Sequence, residues 1–150
     1  MKKILLKFNK NAIMEEVGMT SAYLGAKSGE EEGKSFLKIA TIEADRDLLD
    51  RFWVEMTGRI ADKLKNVIKS NSLSETDFEM ELEVSGAYDE SLTPSVERDL
   101  YASLVAWVTA RWLRYTFPDR ANEWEAEANS LLERAFCKLC YRKKPIKHQS

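Results

Sequence analysis

Apolar residues change their spacing several times along the chain, and each change marks an element. Over residues 3–8, Ile4, Leu6 and Phe8 fall on one side and Lys3 and Lys7 on the other. That period-two alternation predicts a short strand, although Leu5 interrupts its polar face. Asn9 or Asn11 is placed to cap a helix reaching about Ala26, with Ile13, Met14, Val17 and Leu24 as its apolar members. Gly18 weakens that helix and is where a break is expected. Ser28-Gly29-Glu30-Glu31-Glu32-Gly33-Lys34 has the composition of a solvated loop.

From about Glu43 to Ser70 the steps become three and four residues. Leu49, Phe52, Trp53, Met56, Ile60, Leu64, Val67 and Ile68 line one face, and Asp50, Arg51, Glu55, Arg59, Asp62 and Lys65 the other. Gly58 costs this helix something without ending the pattern. After Asn71-Ser72 the period returns to two. Phe78, Met80, Leu82 and Val84 alternate with Glu79, Glu81 and Glu83, the sharpest strand signal in the chain, and Ser85-Gly86 can begin the turn after it.

Thr93-Pro94 then reads as a helix start, with Thr93 as cap and Pro94 at the first helical position. The helix to about Phe117 is apolar through its middle, so it is expected at the centre of a bundle. Pro118 ends it, Asp119 is expected to cap the next, and a last helix runs to about Tyr141 on Trp124, Ala128, Leu131, Leu132, Ala135, Phe136 and Leu139. The short link makes these two helices an antiparallel hairpin. The expected fold is mainly α: a bundle of about four helices with a small β element, its strands near 3–8 and 78–84. One helical domain would cover residues 1–141, with 142–150 as a basic tail.

Composition narrows the function. Among 150 residues, 44% are hydrophobic and 32% charged, ordinary for a globular chain, and 23 basic against 25 acidic residues give a net charge of −2. No overall basic field is available to hold nucleic acid. The charge is uneven, however, with cations at both ends (Lys2, Lys3, Lys7, Lys10; Arg142, Lys143, Lys144, Lys147). Lys7 and Lys10 interrupt a signal-like start, and the apolar stretch Leu100 to Phe117 carries Arg111 and Arg114, so neither a leader nor a membrane span is expected. The expected location is cytosolic.

Chemistry-bearing patterns are few. Cys137 and Cys140 have metal or redox spacing, but a structural zinc site needs four ligands and no second such pair exists. They read as two small residues on a helix face. His148 is the single histidine, which removes most imidazole-based schemes, and no phosphate-binding glycine motif is present. No catalytic site, metal or cofactor is expected.

The two strands say more. Lys3 and Lys7 on one would pair well with Glu79, Glu81 and Glu83 on the other. Such pairing is open to two arrangements, within one chain or between neighbours in an oligomer. The candidate interaction surface is therefore Lys3, Lys7, Glu79, Glu81 and Glu83, together with the basic Arg142, Lys143, Lys144 and Lys147.

Several segments also carry a resemblance. Thr20-Ser-Ala-Tyr-Leu-Gly-Ala-Lys-Ser28, Glu43 through Trp53, Tyr88 through Ser95, Thr109-Ala-Arg-Trp112 and Tyr141-Arg-Lys-Lys-Pro145 stand in order across most of the chain. Together they resemble small proteins encoded in structural-gene clusters of tailed phages and prophages of Bacteroides-type bacteria. About half the chain is similar to the head-to-tail connector (head-completion, adaptor) family, in which an acidic D-x-x-L-L helix leads into a hairpin with an aromatic-rich helix. The matching stretches here are Asp45 to Leu64 and Leu100 to Tyr115; the two strands depart from that family's simplest pattern.

The resemblance implies a structural protein made in the bacterial host cytoplasm and then carried in the virion. It would form a ring below the portal, contact portal and tail or neck proteins, and let DNA pass without sequence-specific binding. Glu79, Glu81 and Glu83 would suit an acidic lumen. Two other classes fit the sequence: a small helical nucleic-acid-binding or regulatory protein using the basic tail, and an accessory or toxin–antitoxin-like partner protein.

Overall fold

The alternation at the start of the chain forms strand β1 (Lys2–Asn9) in the computed structural model, which describes residues 1–26 and 45–144. Ile4, Leu6 and Phe8 are buried, and Lys3, Leu5 and Lys7 are exposed. Asn9 then starts helix α1 (Lys10–Ala26): its side-chain oxygen accepts from the Ala12 N–H at 2.9 Å, satisfying one of the first-turn donors. The helix passes Gly18 without the expected break. Ile13, Val17 and Leu24 bury one of its faces, and that packing exceeds the roughly 1 kcal/mol that glycine costs a helix. The expected loop at 28–34 lies outside the described residues.

Helix α2 (Arg46–Lys63) buries Leu49, Phe52, Trp53, Met56 and Ile60 and continues past Gly58. It stops well short of Ser70. Val67 and Ile68 donate backbone bonds to the Leu64 carbonyl in a turn, and Ile68 opens a strand, β2 (Ile68–Leu73), that the helical spacing had absorbed. From Lys69 to Leu73 every β2 position is exposed, so no alternation marks it.

Strand β3 (Asp77–Val84) lies between the other two in a three-stranded antiparallel sheet ordered β1-β3-β2. Lys3 stands opposite Glu83, Leu5 opposite Glu81 and Lys7 opposite Glu79. The two strands expected from sequence therefore pair with each other inside one chain. Phe78, Met80, Leu82 and Val84 face the core with Ile4, Leu6 and Phe8, and the helices cover that side.

Two caps differ from expectation. Asp89, not Thr93, accepts from the Ser91 N–H at 3.0 Å and opens a short 3-10 turn (Glu90–Leu92) that feeds helix α3 (Thr93–Thr116). Thr93 lies inside α3, its hydroxyl 2.9 Å from the Tyr88 hydroxyl. Helix α4 (Pro118–Cys140) starts after a non-helical Phe117 with no side-chain cap, and Asp119 sits in its first turn. Proline at the start has no N–H to satisfy, which lowers the demand for a cap.

Helix α3 is central, as its composition predicts: Ser103 through Ala110 are buried without interruption. Its hairpin partner α4 presents Ala121, Ala128 and Ala135, small residues that let the two axes approach, alongside Leu131, Leu132 and Leu139. At the open end of the hairpin the Lys138 ammonium donates to Asp99 and Ser95, each at 2.6 Å. Trp107 is closed over by cations, the Arg59 guanidinium 4.2 Å and that of Arg111 5.8 Å from its ring centre. The result is a mainly α fold with four helices and one small sheet among the described residues.

Candidate interaction surface

A strand with period-two alternation has two faces, and only one of those in this sheet is used by the core. The outer face gathers Lys3, Leu5 and Lys7 from β1, Glu79, Glu81 and Glu83 from β3, and Lys69, Ser70 and Ser72 from β2. Five of the sequence-predicted surface residues thus come together. Lys7 pairs with Glu79 at 3.5 Å, Lys3 reaches diagonally to Glu81 at 3.5 Å, and Lys69 approaches Glu83 at 3.9 Å. Three carboxylates meet three ammonium groups, so the face is balanced in charge and not acidic.

Leu5 stands in the middle of this lattice and is 78% exposed. Beside it the sheet forms an open concavity of about 490 Å³, lined in part by Leu5, Lys7, Ser70, Ser72, Glu79 and Glu81. Its lining joins apolar groups, Leu5, Leu6 and Met80 among them, to hydroxyls, carboxylates and one ammonium. Such a lining offers hydrogen bonds and apolar contact; none of these residues carries an imidazole or a thiol.

The basic segment lies elsewhere and is partly tied down. Arg142 forms a backbone bridge with Tyr88, and the Lys143 N–H donates to the Ala87 carbonyl at 2.6 Å. This anchors the segment to the turn between β3 and α3, while the Arg142, Lys143 and Lys144 side chains remain exposed. Asp89 is close by. Hydrogen bonds from the Ser91 hydroxyl and amide hold its carboxyl below the usual carboxylate range, and the cations of Lys143 and Lys2 add to this. Lys2 also donates to the Tyr88 carbonyl at 2.9 Å and approaches Glu90 at 3.7 Å. Lys147 and His148 lie outside the described residues.

Sequence reading missed Lys69, Ser70 and Ser72 as members of the surface, because the strand that carries them was invisible. Cys137 and Cys140 are exposed free thiols near the end of α4. Among the described residues no group of three or more His, Cys, Asp or Glu is placed to hold a metal ion, and no helix is long and apolar enough to cross a membrane.

The intrachain pairing fixes what charge reversal on this face does. Glu79→Lys/Glu81→Lys/Glu83→Lys puts six lysines on one sheet face, and inverting pairs worth about 0.2–1 kcal/mol each should destabilise the fold by roughly 1–2 kcal/mol. Urea unfolding checks this, with the loss shrinking at high salt because exposed charges are screened. An unchanged midpoint would mean that the pairs contribute nothing. Compared with known protein families, with characterised proteins and with solved structures, the chain gives no match.

Proposed function

We propose that the chain is a structural interaction protein without a catalytic site of its own, of the head-to-tail connector type, which assembles in a ring below the portal and docks the tail. The supporting observation is the outer sheet face. It is open, carries an exposed leucine at its centre, and has its charges already matched within the chain. A neighbour laid across such a face strands no unpaired charge, and charges of both signs suit recognition between ring neighbours. Ring contacts are heterologous, one patch against a different one, so a single face of this kind serves each subunit once. On this reading the chain is made in the bacterial host cytoplasm and ends in the virion, touching portal and neck proteins, with DNA passing through without sequence-specific contacts.

Light-scattering mass coupled to size exclusion tests it, first on the protein alone and then mixed with the portal protein encoded nearest to it. The expected result is a ring, or a complex that forms with portal. A monomer indifferent to portal overturns the connector reading. Salt-dependent DNA binding that disappears on removal of Arg142, Lys143, Lys144 and Lys147 would instead place the chain in the regulatory, nucleic-acid-binding class.

A further inference from the structure

The pairing of the sheet fixes which way the backbone groups of β1 point. In an antiparallel ladder a residue turns its N–H and C=O toward the same neighbour, and successive residues alternate. The Glu83 N–H donates to the Val67 carbonyl at 2.7 Å, toward β2, so Glu79, Glu81 and Glu83 turn their backbone groups to that side. Lys3, Leu5 and Lys7, which stand opposite them, must then turn theirs away from β3, to the free edge of the sheet. Among the described residues those groups have no hydrogen-bond partner.

The two edges of the sheet differ. β2 is short, exposed and polar, with a register irregularity between Ile68 and Ser70, features that discourage further pairing. β1 pairs in an unbroken register over eight residues and carries Leu5, 78% exposed. A regular strand edge with an exposed apolar side chain is a template for another strand.

We propose that the free edge of β1 receives an extended acidic segment of a partner protein as an added strand, with carboxylates against Lys3 and Lys7 and an apolar side chain against Leu5. The charge pattern selects this occupant. A second copy paired antiparallel through Leu5 would set Lys3 against Lys7 twice over, and like charges directly opposed are unfavourable. β3 shows the complementary text from the other side of β1, with glutamates at every second position from Glu79 to Glu83. Lys3 and Lys7 keep 58% and 63% of their side chains exposed while holding their internal partners, and an ammonium has three donors to share.

This proposal rests on the reading of the chain as an interaction protein and names the chemistry of its partner. Amide NMR of the full chain titrated with the blocked peptide acetyl-TETVTET-amide tests it. Saturable shifts and slowed hydrogen exchange are expected at the Lys3, Leu5 and Lys7 amides. Binding should weaken about tenfold for acetyl-TKTVTKT-amide, which inverts both charge contacts. Leu5→Ser, an uncharged change at a solvent-facing position, removes the apolar contact and should weaken it several-fold while leaving the fold intact by circular dichroism. Equal binding of the two peptides, shifts confined to other residues, or no shift at millimolar peptide overturns the proposal. So does a doubling of mass that protects the same three amides without peptide, since the edge would then belong to a second copy. A chain that joins portal yet ignores the peptide loses the edge proposal and keeps the connector reading.

Discussion

Phe78→Ala should destabilise the protein by about 3–5 kcal/mol, a large share of the roughly 5–15 kcal/mol that holds a domain together. Phe78 is 1% exposed, stands opposite Phe8 on β1 and Leu73 on β2, and stacks on the Phe8 ring with centroids 6.4 Å apart. Truncation removes that contact and leaves a cavity between the sheet and the helices, which close-packed neighbours fill only in part. The adjacent residue is the control. Glu79→Ala, on the outer face, loses one exposed ion pair with Lys7 and should cost no more than about 1 kcal/mol. Urea unfolding of both variants reads the difference as a displaced midpoint at unchanged slope. Comparable losses would mean that β3 does not divide its residues between core and solvent, and the outer face would lose its identity with it.

That division is also what made part of the molecule legible. Alternating Phe78, Met80, Leu82 and Val84 announce a half-buried strand because burial on one face is what imposes the alternation. The complementary charges of Lys3, Lys7, Glu79, Glu81 and Glu83 then point to a shared surface, though not to whether one chain or two supplies it. β2 gave no such signal. Its residues Lys69 to Leu73 are exposed on both faces, so neither face selects apolar residues, and Val67 and Ile68 happen to continue the spacing of α2. The caps failed for a related reason. Thr93 and Asp119 have the right chemistry, but Tyr88 takes the Thr93 hydroxyl and α4 begins at Pro118, which puts Asp119 inside the first turn. The Tyr88 contact is a tertiary fact, as is the docking of Arg142 and Lys143 on Ala87 and Tyr88, which ties the start of the expected basic tail to the β3–α3 turn.

The contact that sequence conceals most completely is that of Lys138 with Asp99, and it sets the second large expectation. Asp99 is 7% exposed on the central helix, and the Lys138 ammonium, reaching from the end of α4, is the cation that meets it at 2.6 Å. Lys138→Met keeps most of the side-chain volume and leaves a carboxylate in the helix interface with no counter-charge. Breaking such a pair by removing one partner costs about 3–5 kcal/mol when both are fully buried. Lys138 retains 25% of its side-chain exposure, so water relieves some of that penalty and about 2–4 kcal/mol is expected. Adding Asp99→Leu should restore more than half of the loss, because a matched apolar pair carries no desolvation cost. If the double variant is no better than the single one, the loss comes from packing and not from the stranded charge. The consequence reaches the surface as well. Lys138 lies one helical turn before the segment that docks on the β3–α3 turn, so loosening this end of the hairpin should speed hydrogen exchange at the Lys143 amide while leaving the Leu82 amide in β3 protected. Equal acceleration at both sites would mean that the hairpin end and the sheet open as one unit, and that the basic segment has no anchorage of its own.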